Sequence, residues 1–121
     1  MTTAPFTAIP DLAGLIEVQT EATVSRTAFR APGVRVVLFG FDAGQELTEH
    51  TAAMPVLLQA LDGRLRIGGD GKEAELLPGG LIHLDTRVPH TVVAIEPSRL
   101  LLTMLDSRAR PVHDSAGINV A

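Results

Sequence analysis

The sequence predicts a single all-β domain. From Thr23 onward, β-branched and apolar runs are separated by turn dipeptides roughly every eight to twelve residues, a spacing typical of sandwiches and barrels. At 121 residues the chain suits one domain, which should bury roughly two-thirds of its unfolded surface. An apolar fraction of 45% and a charged fraction of 20% are those of an ordinary globular protein.

Three segments divide the chain. Residues 1–22 are predicted to be an N-terminal segment with a short helix at residues 10–16, because Pro10 is tolerated in a first helical turn and Gly14 limits the length. Residues 23–107 form the β domain. Residues 108–121 mix charges without any period and are predicted to be a C-terminal tail.

The strands are delimited by Gly, Pro and Asp clusters. They are predicted at residues 23–29, 34–42, 55–62, 64–68, 74–77, 81–84, 91–95 and 99–105. Asp62-Gly63 is the strongest turn, since alternating residues flank it as in a hairpin.

Two segments, PVLLQAL at residues 55–61 and LLLTML at residues 100–105, are almost continuously apolar. Such strands are covered on both faces, either by a second sheet or by another subunit. For a small barrel this pattern favours a homodimer over a larger core.

Charge and composition exclude several classes of partner. With 14 acidic against 10 basic residues the net charge is -4, and no run of Lys or Arg offers the surface that a nucleic-acid backbone needs. Cysteine is absent, which excludes disulfides and thiolate chemistry. The apolar stretch at residues 91–105 is interrupted by Glu96, Pro97 and Arg99, so no membrane span is expected. The prediction is a soluble, cytoplasmic protein.

Two segments carry histidines that could take part in chemistry. GQELTEHTAAMPVLLQALDG at residues 44–63 contains His50, and PGGLIHLDTRVPHTVVA at residues 78–94 contains His90. An antiparallel hairpin between the segments would allow the two histidines to face each other inside a barrel. The alternative is a pair of core histidines that satisfy each other.

The first segment resembles the first motif of the cupin family, and specifically the small single-domain cupins of the type-2 conserved-barrel kind. Gly44, His50 and Gly63 match that motif in register, while Ala52 stands for its second histidine and Val56 for its glutamate. In the second segment Gly79 and His90 match the second cupin motif. The resemblance implies an antiparallel jelly-roll barrel.

The resemblance also implies one divalent transition metal, namely Ni, Mn, Fe, Cu or Zn, but only His50 and His90 carry over as ligands. Because a catalytic metal such as zinc usually keeps about three protein ligands, another donor would be needed. The candidate donors are Glu46, Glu49, Met54, His83 and Asp85. His83 is expected at the surface or an interface, since its neighbours Ile82 and Leu84 face the core, and His113 lies in the predicted tail.

The predicted function is the binding of a small, largely apolar molecule in a barrel pocket whose mouth lies near a turn at residues 46–49 and a loop at residues 85–89. The predicted lining is His50, His90, Met54, Val56, Leu58 and Ala60. Two alternatives stay open, and no catalytic residue is identified. One is a metal-dependent cupin enzyme of the dioxygenase or isomerase type using His50 and His90. The other is a structural or interaction barrel whose pocket is closed by large residues such as Leu57, Leu58 and Leu61.

Overall fold

The computed structural model describes residues 4–106, so the predicted tail and His113 lie outside the described residues. The elements are a 3₁₀ turn at Ala13–Leu15 and the strands β1 Thr23–Ala31, β2 Val34–Phe41, β3 Glu46–His50, β4 Val56–Asp62, β5 Leu65–Gly69, β6 Lys72–Leu76, β7 Ile82–Leu84, β8 His90–Ala94 and β9 Ser98–Leu105. All paired strands are antiparallel, which confirms the predicted all-β class with one short helical turn.

The strands form two sheets that face each other. Sheet A has the order β1-β2-β9-β4-β7, and sheet B has the order β3-β8-β5-β6. The chain changes sheet between β2 and β3 and again at most later connections, while only β1–β2 and β5–β6 are hairpins within one sheet. This is the arrangement of a jelly roll, as the resemblance implied.

Side-chain alternation places the core between the sheets. In β8, His90, Val92 and Ala94 are buried while the residues between them are half-exposed. Sheet A supplies the facing layer with residues such as Leu58 and Leu100, both fully buried. Successive residues of a strand point to opposite faces, so every second residue of a strand contributes to this core.

Strand β3 departs from the sequence prediction, which placed a turn at residues 46–49. Its only apolar residue is Leu47, and Glu46, Thr48 and Glu49 are exposed. Pairing with β8 makes the segment a strand even though its composition gives no strand signal. β3 is the edge strand of sheet B. Charged side chains are common on edge strands, because charge keeps an open sheet edge from pairing with another chain.

The Asp62-Gly63 turn also differs from expectation, because β4 and β5 lie in different sheets and do not pair. The turn is therefore a corner between the sheets. The two-residue hairpin lies instead at Asp70-Gly71, which joins β5 to β6 with φ of 52° and 69°. Positive φ at both central residues is the requirement of a type I′ turn.

Buried Ser98 holds the corner together. Its Oγ accepts a hydrogen bond from the backbone N–H of Arg64 at 2.9 Å and donates to the carbonyl of Glu96 at 2.7 Å. Next to it, the Asp62 carboxylate accepts from the backbone N–H of Arg99 at 2.8 Å. Gly63 has a φ of +82° and lies directly against Ser98, so both its conformation and its surroundings require glycine.

The N-terminal segment covers part of the outer face of sheet A. Ile16 is buried, and its carbonyl accepts from Arg99 Nε at 2.8 Å, while the carbonyl of Leu15 accepts from Arg26 Nη1 at 3.1 Å. On the same outer face, Leu57 and Leu101 are only half-buried. The apolar runs in β4 and β9 are thus buried on the inner face up to the half-buried Met104 and partly covered on the outer one. No helix within residues 4–106 is long and apolar enough to cross a membrane.

We expect Gly63→Ala to destabilise the fold much more than Gly44→Ala. Both glycines have nearly the same φ, +82° and +81°, so both variants lose roughly 1–2 kcal/mol to the left-handed conformation. A Cβ at Gly44 meets nothing within 4 Å, whereas at Gly63 it would overlap Ser98 and add about 1–3 kcal/mol of overpacking. Urea unfolding measures both free energies, and equal losses would show that the corner contact is unimportant.

Candidate functional site

The structure brings His50 and His90 together. They are directly opposite partners on β3 and β8, with ring centroids 4.2 Å apart and ring planes at 62°. The pairing is irregular between Leu47 and His50, where β3 contains one extra residue relative to β8. This bulge places His50 beside the ring of His90, because an extra residue changes which side of a strand the following side chain occupies.

Backbone carbonyls fix the orientation of both rings. His50 Nδ1 lies 2.8 Å from the carbonyl oxygen of Thr48, and His90 Nδ1 lies 2.9 Å from that of Val88. A carbonyl oxygen can only accept, so in each ring Nδ1 carries the proton and donates it. The Nε2 atom of each neutral imidazole therefore presents a lone pair. The two histidines thus have the same local arrangement, in which the ring donates a hydrogen bond to the carbonyl two residues earlier.

The two rings differ in burial. His90 is 3% exposed and belongs to the inner wall, whereas His50 is exposed at the rim. Within residues 4–106 neither ring has a hydrogen bond other than the one from Nδ1. The two Nε2 atoms can thus accept hydrogen bonds from a molecule that enters from the rim, or they can bind a cation.

The histidines lie at one end of the barrel, here called the open end. In sheet B its inward row runs through His50, His90 and Gly69. In sheet A the corresponding row of opposite partners is Arg35, Met104, Val56 and Leu84. A Cβ built on Gly69 would lie 3.4 Å from Leu84 Cδ2, which shows that the two rows face each other closely.

Two loops cross the open end. Residues 51–55 connect β3 to β4, and residues 85–89 connect β7 to β8. They are joined by a hydrogen bond of 2.8 Å from the N–H of Arg87 to the carbonyl of Ala52, and Arg87 adopts a φ of +61°. The loop at residues 85–89 is therefore next to the site, as the sequence predicted, while the other rim element is the strand β3 rather than a turn.

The described residues do not fit a cupin metal centre with three or four protein ligands. Val56, at the position of the motif glutamate, is 1% exposed in the core, and Ala52 packs against the same core. His83 is exposed and pairs with Leu57 on the outer face, away from the rings. No group of three or more His, Asp or Glu within residues 4–106 could hold a metal ion, which leaves two imidazoles where about three ligands are usual.

The six residues predicted to line a pocket fall into three groups. His50 and His90 form the pair at the rim. Met54 lines a cavity of about 230 Å³ at the open end, together with Arg35 and Met104. Val56, Leu58 and Ala60, which are at most 6% exposed, lie in the packed core below it. Of the six predicted residues, Met54 alone lines this cavity.

Arg35 is a candidate functional residue that the sequence motifs do not identify. It lies in β2, whose inward positions include Phe39 and Phe41, and these two rings stack 5.8 Å apart. The sequence feature that could have identified it is an arginine at an inward position of an otherwise apolar strand. Arg35 is half-buried, but its Nε atom is fully enclosed, and charged groups are rarely enclosed without a partner.

Structural comparison places the molecule among proteins with the cupin fold. The chain resembles a cupin superfamily protein from Desulfitobacterium hafniense, with a TM-score of 0.73 and 23% identity over 78% of this chain and 86% of that one. It also resembles a cupin 2 conserved barrel domain protein from Leptotrichia buccalis, with a TM-score of 0.71 and 28% identity over 78% of this chain and 46% of that one.

A more distant match is a mutant of salicylate 1,2-dioxygenase from Pseudoaminobacter salicylatoxidans, with a TM-score of 0.65 and 15% identity over 75% of this chain and 28% of that one. No protein-family model matches the sequence, and a search of curated proteins finds no match. The resemblance to cupins suggested by the two histidine segments is thus confirmed at the level of the fold.

We expect the neutral rings of His50 and His90 to be Nδ1–H tautomers. The reason is that each Nδ1 lies against an acceptor, whereas the exposed His83 has no ring hydrogen bond within residues 4–106 and serves as the internal control. Nitrogen-15 spectra of the histidine rings distinguish the two tautomers. An Nε2–H form at His50 and His90 would contradict the proposed direction of both lone pairs.

Proposed function

We propose that the protein binds a small, largely apolar molecule at the open end of its barrel, and that His50 and His90 orient a polar group of that molecule. The observation that supports this most strongly is the pair of Nδ1–carbonyl hydrogen bonds, which leaves an Nε2 lone pair on each of two rings whose centroids are 4.2 Å apart. An O–H or N–H group on a ligand is the natural partner of these lone pairs.

The surroundings of the pair favour an apolar ligand body. At the same end of the barrel, sheet A carries the apolar side chains of Met104, Val56 and Leu84. The ring of His90 is buried as a whole, but its Nε2 is not one of the fully enclosed unpartnered atoms, so it is open to a hydrogen bond from a ligand or a water. A site with an apolar wall and a few oriented polar groups is typical of small-molecule binding.

A metal-dependent enzyme of the dioxygenase or isomerase type is the second candidate. The same Nδ1–carbonyl bonds favour it, because metal-binding histidines commonly donate their other ring N–H to a backbone carbonyl. One structure with this fold carries the name of a dioxygenase. With two imidazoles available, most of the coordination shell of Ni, Mn, Fe, Cu or Zn would have to come from water or substrate. The third candidate, a structural barrel, agrees with the tight packing of Leu58.

Elemental analysis and thermal denaturation separate these candidates. For a ligand-binding barrel we expect no stoichiometric metal, and a rise in melting temperature with members of a panel of small phenols, alcohols, acids and amides, because a ligand at a hundred times its Kd stabilises by about 2.7 kcal/mol. The double variant His50→Ala, His90→Ala should bind at least ten times more weakly.

The matched control is His83→Ala, which removes an exposed ring on the outer face and should change neither result. Stoichiometric metal that is lost in the double variant but kept in His83→Ala would support the enzyme instead. If neither metal nor any panel member binds, the structural barrel is supported.

We further propose that the protein is a cytoplasmic homodimer whose subunits meet through the outer face of sheet A. The dimer proposal is supported by Leu57 and Leu101, which lie on the outer face of sheet A and are only half-buried. Burying such residues against a second copy of the chain would stabilise the dimer by roughly 25 cal/mol per Å² of buried apolar surface. A cysteine-free chain suits a reducing compartment.

Leu57→Lys should convert the dimer to a monomer, because it places a charge in the centre of the proposed interface. Light scattering coupled to gel filtration should give twice the chain mass of 12.8 kDa for the parent protein and the single mass for the variant. Arg66→Gln, on the outer face of sheet B, is the control and should remain dimeric. A parent protein of single mass would contradict the proposal.

A further inference from the structure

We propose that the ligand is an anion, most simply a carboxylate, and that Arg35 is the residue that binds its charged group. This inference rests on the proposed function, since it names the chemical class of the molecule held at the open end. It depends on three observations that the histidine pair does not explain: a buried donor on Arg35, a second arginine beside it, and the charge of the cavity that both line.

The first observation is the incomplete hydrogen bonding of Arg35. Its Nη2 donates to Thr27 Oγ1 at 3.3 Å, but its Nε is buried and has no hydrogen-bond partner within residues 4–106. A guanidinium N–H can only donate, so an acceptor must come from elsewhere. The free-energy cost of a buried donor without a partner is larger when the donor is charged than when it is neutral. A bound molecule that accepts a hydrogen bond from Nε would remove this cost.

The second observation is the position of Arg30. It lies directly opposite Arg35 in the β1–β2 ladder, so two positive side chains share one face of the hairpin. Like charges in this arrangement repel each other. The ion pairs within residues 4–106 involve Arg64, Arg66 and Arg99, and neither Arg30 nor Arg35 takes part in one.

The third observation is the cavity itself, with a volume of about 230 Å³. Among residues 4–106, its charged wall residues are Arg30, Arg35 and Asp106, which together give a formal charge of +1, although the whole chain carries -4. Asp106 has an interaction of its own and also donates its backbone N–H to the carbonyl of Gly33 at 2.9 Å. The thioethers of Met54 and Met104 supply an apolar wall that can adapt to different ligand bodies.

Together these features match a carboxylate with an apolar body. A guanidinium can bond both carboxylate oxygens in a planar, two-point arrangement that uses Nε together with an Nη atom. Lysine offers a point charge and has no equivalent of the buried Nε–H. Arg35 pairs with Met104 in the row of sheet A that also contains Val56, so a molecule whose acid group binds Arg35 would have its apolar body against Met54 and Met104.

Nitrogen-15 spectra of the arginine Nε–H groups of the full-length protein test the inference. The probes are benzoate and hexanoate, each compared with its uncharged primary amide at the same ionic strength. We expect the two acids to shift the Arg35 Nε–H signal in a saturable way, and the amides to bind at least ten times more weakly. Arg35→Lys should weaken acid binding at least tenfold although it keeps the charge.

Two further variants serve as controls. Arg30→Gln, at an exposed position, should weaken acid binding several-fold without affecting the fold, so the inference can be tested even if Arg35→Lys is poorly folded. Arg66→Lys, on the outer face of sheet B, should leave acid binding unchanged.

The outcomes separate this inference from the proposed function. Amides that bind as tightly as the acids and shift the His50 and His90 ring signals, without affecting Arg35, would overturn the inference and leave the binding function intact. Unchanged acid binding in both Arg35→Lys and Arg30→Gln would also overturn it. Failure of acids, amides and the wider panel to bind at all would overturn both.

Discussion

The two-residue periodicity of the strands is the constraint on which the rest of the molecule depends. Because the paired strands keep their register apart from local bulges, one alternating set of side chains forms a continuous inner surface. Toward the corner this surface is apolar and closely packed around Leu65 and Leu100. At the open end the same alternation turns His90 and Arg35 inward, so the core and the candidate site are two ends of a single pattern.

Much of this pattern can be read from the sequence. The β-branched runs and turn dipeptides predict most strands to within a few residues, and the two glycine-histidine segments predict a jelly roll. Strand β3 is missed because Glu46, Thr48 and Glu49 have no apolar alternation, and only its pairing with β8 defines it. Asp62-Gly63 is misread for a different reason, since the chemistry that favours positive φ is the same in a hairpin and in a corner between sheets.

The candidate site is predictable only in part. The spacing of the motifs identifies His50 and His90, but the bond from each Nδ1 to a carbonyl, and hence the direction of each Nε2, is a product of local backbone geometry. Arg35 escapes motif analysis because its significance lies in burial and in the side chain opposite it, neither of which is a property of neighbouring residues in the sequence. The sequence by itself shows only that an arginine lies in a strand.

The corner around Gly63 and Ser98 has a consequence for how such a protein can change over evolutionary time. The contacts that tie the two sheets together are concentrated at the end opposite the histidines, and they involve backbone groups and one small hydroxyl. Residues at the other end can therefore be exchanged without removing the contacts at this joint. Val56, at the position of the motif glutamate, lies in the row of sheet A at that other end and takes part in none of these contacts.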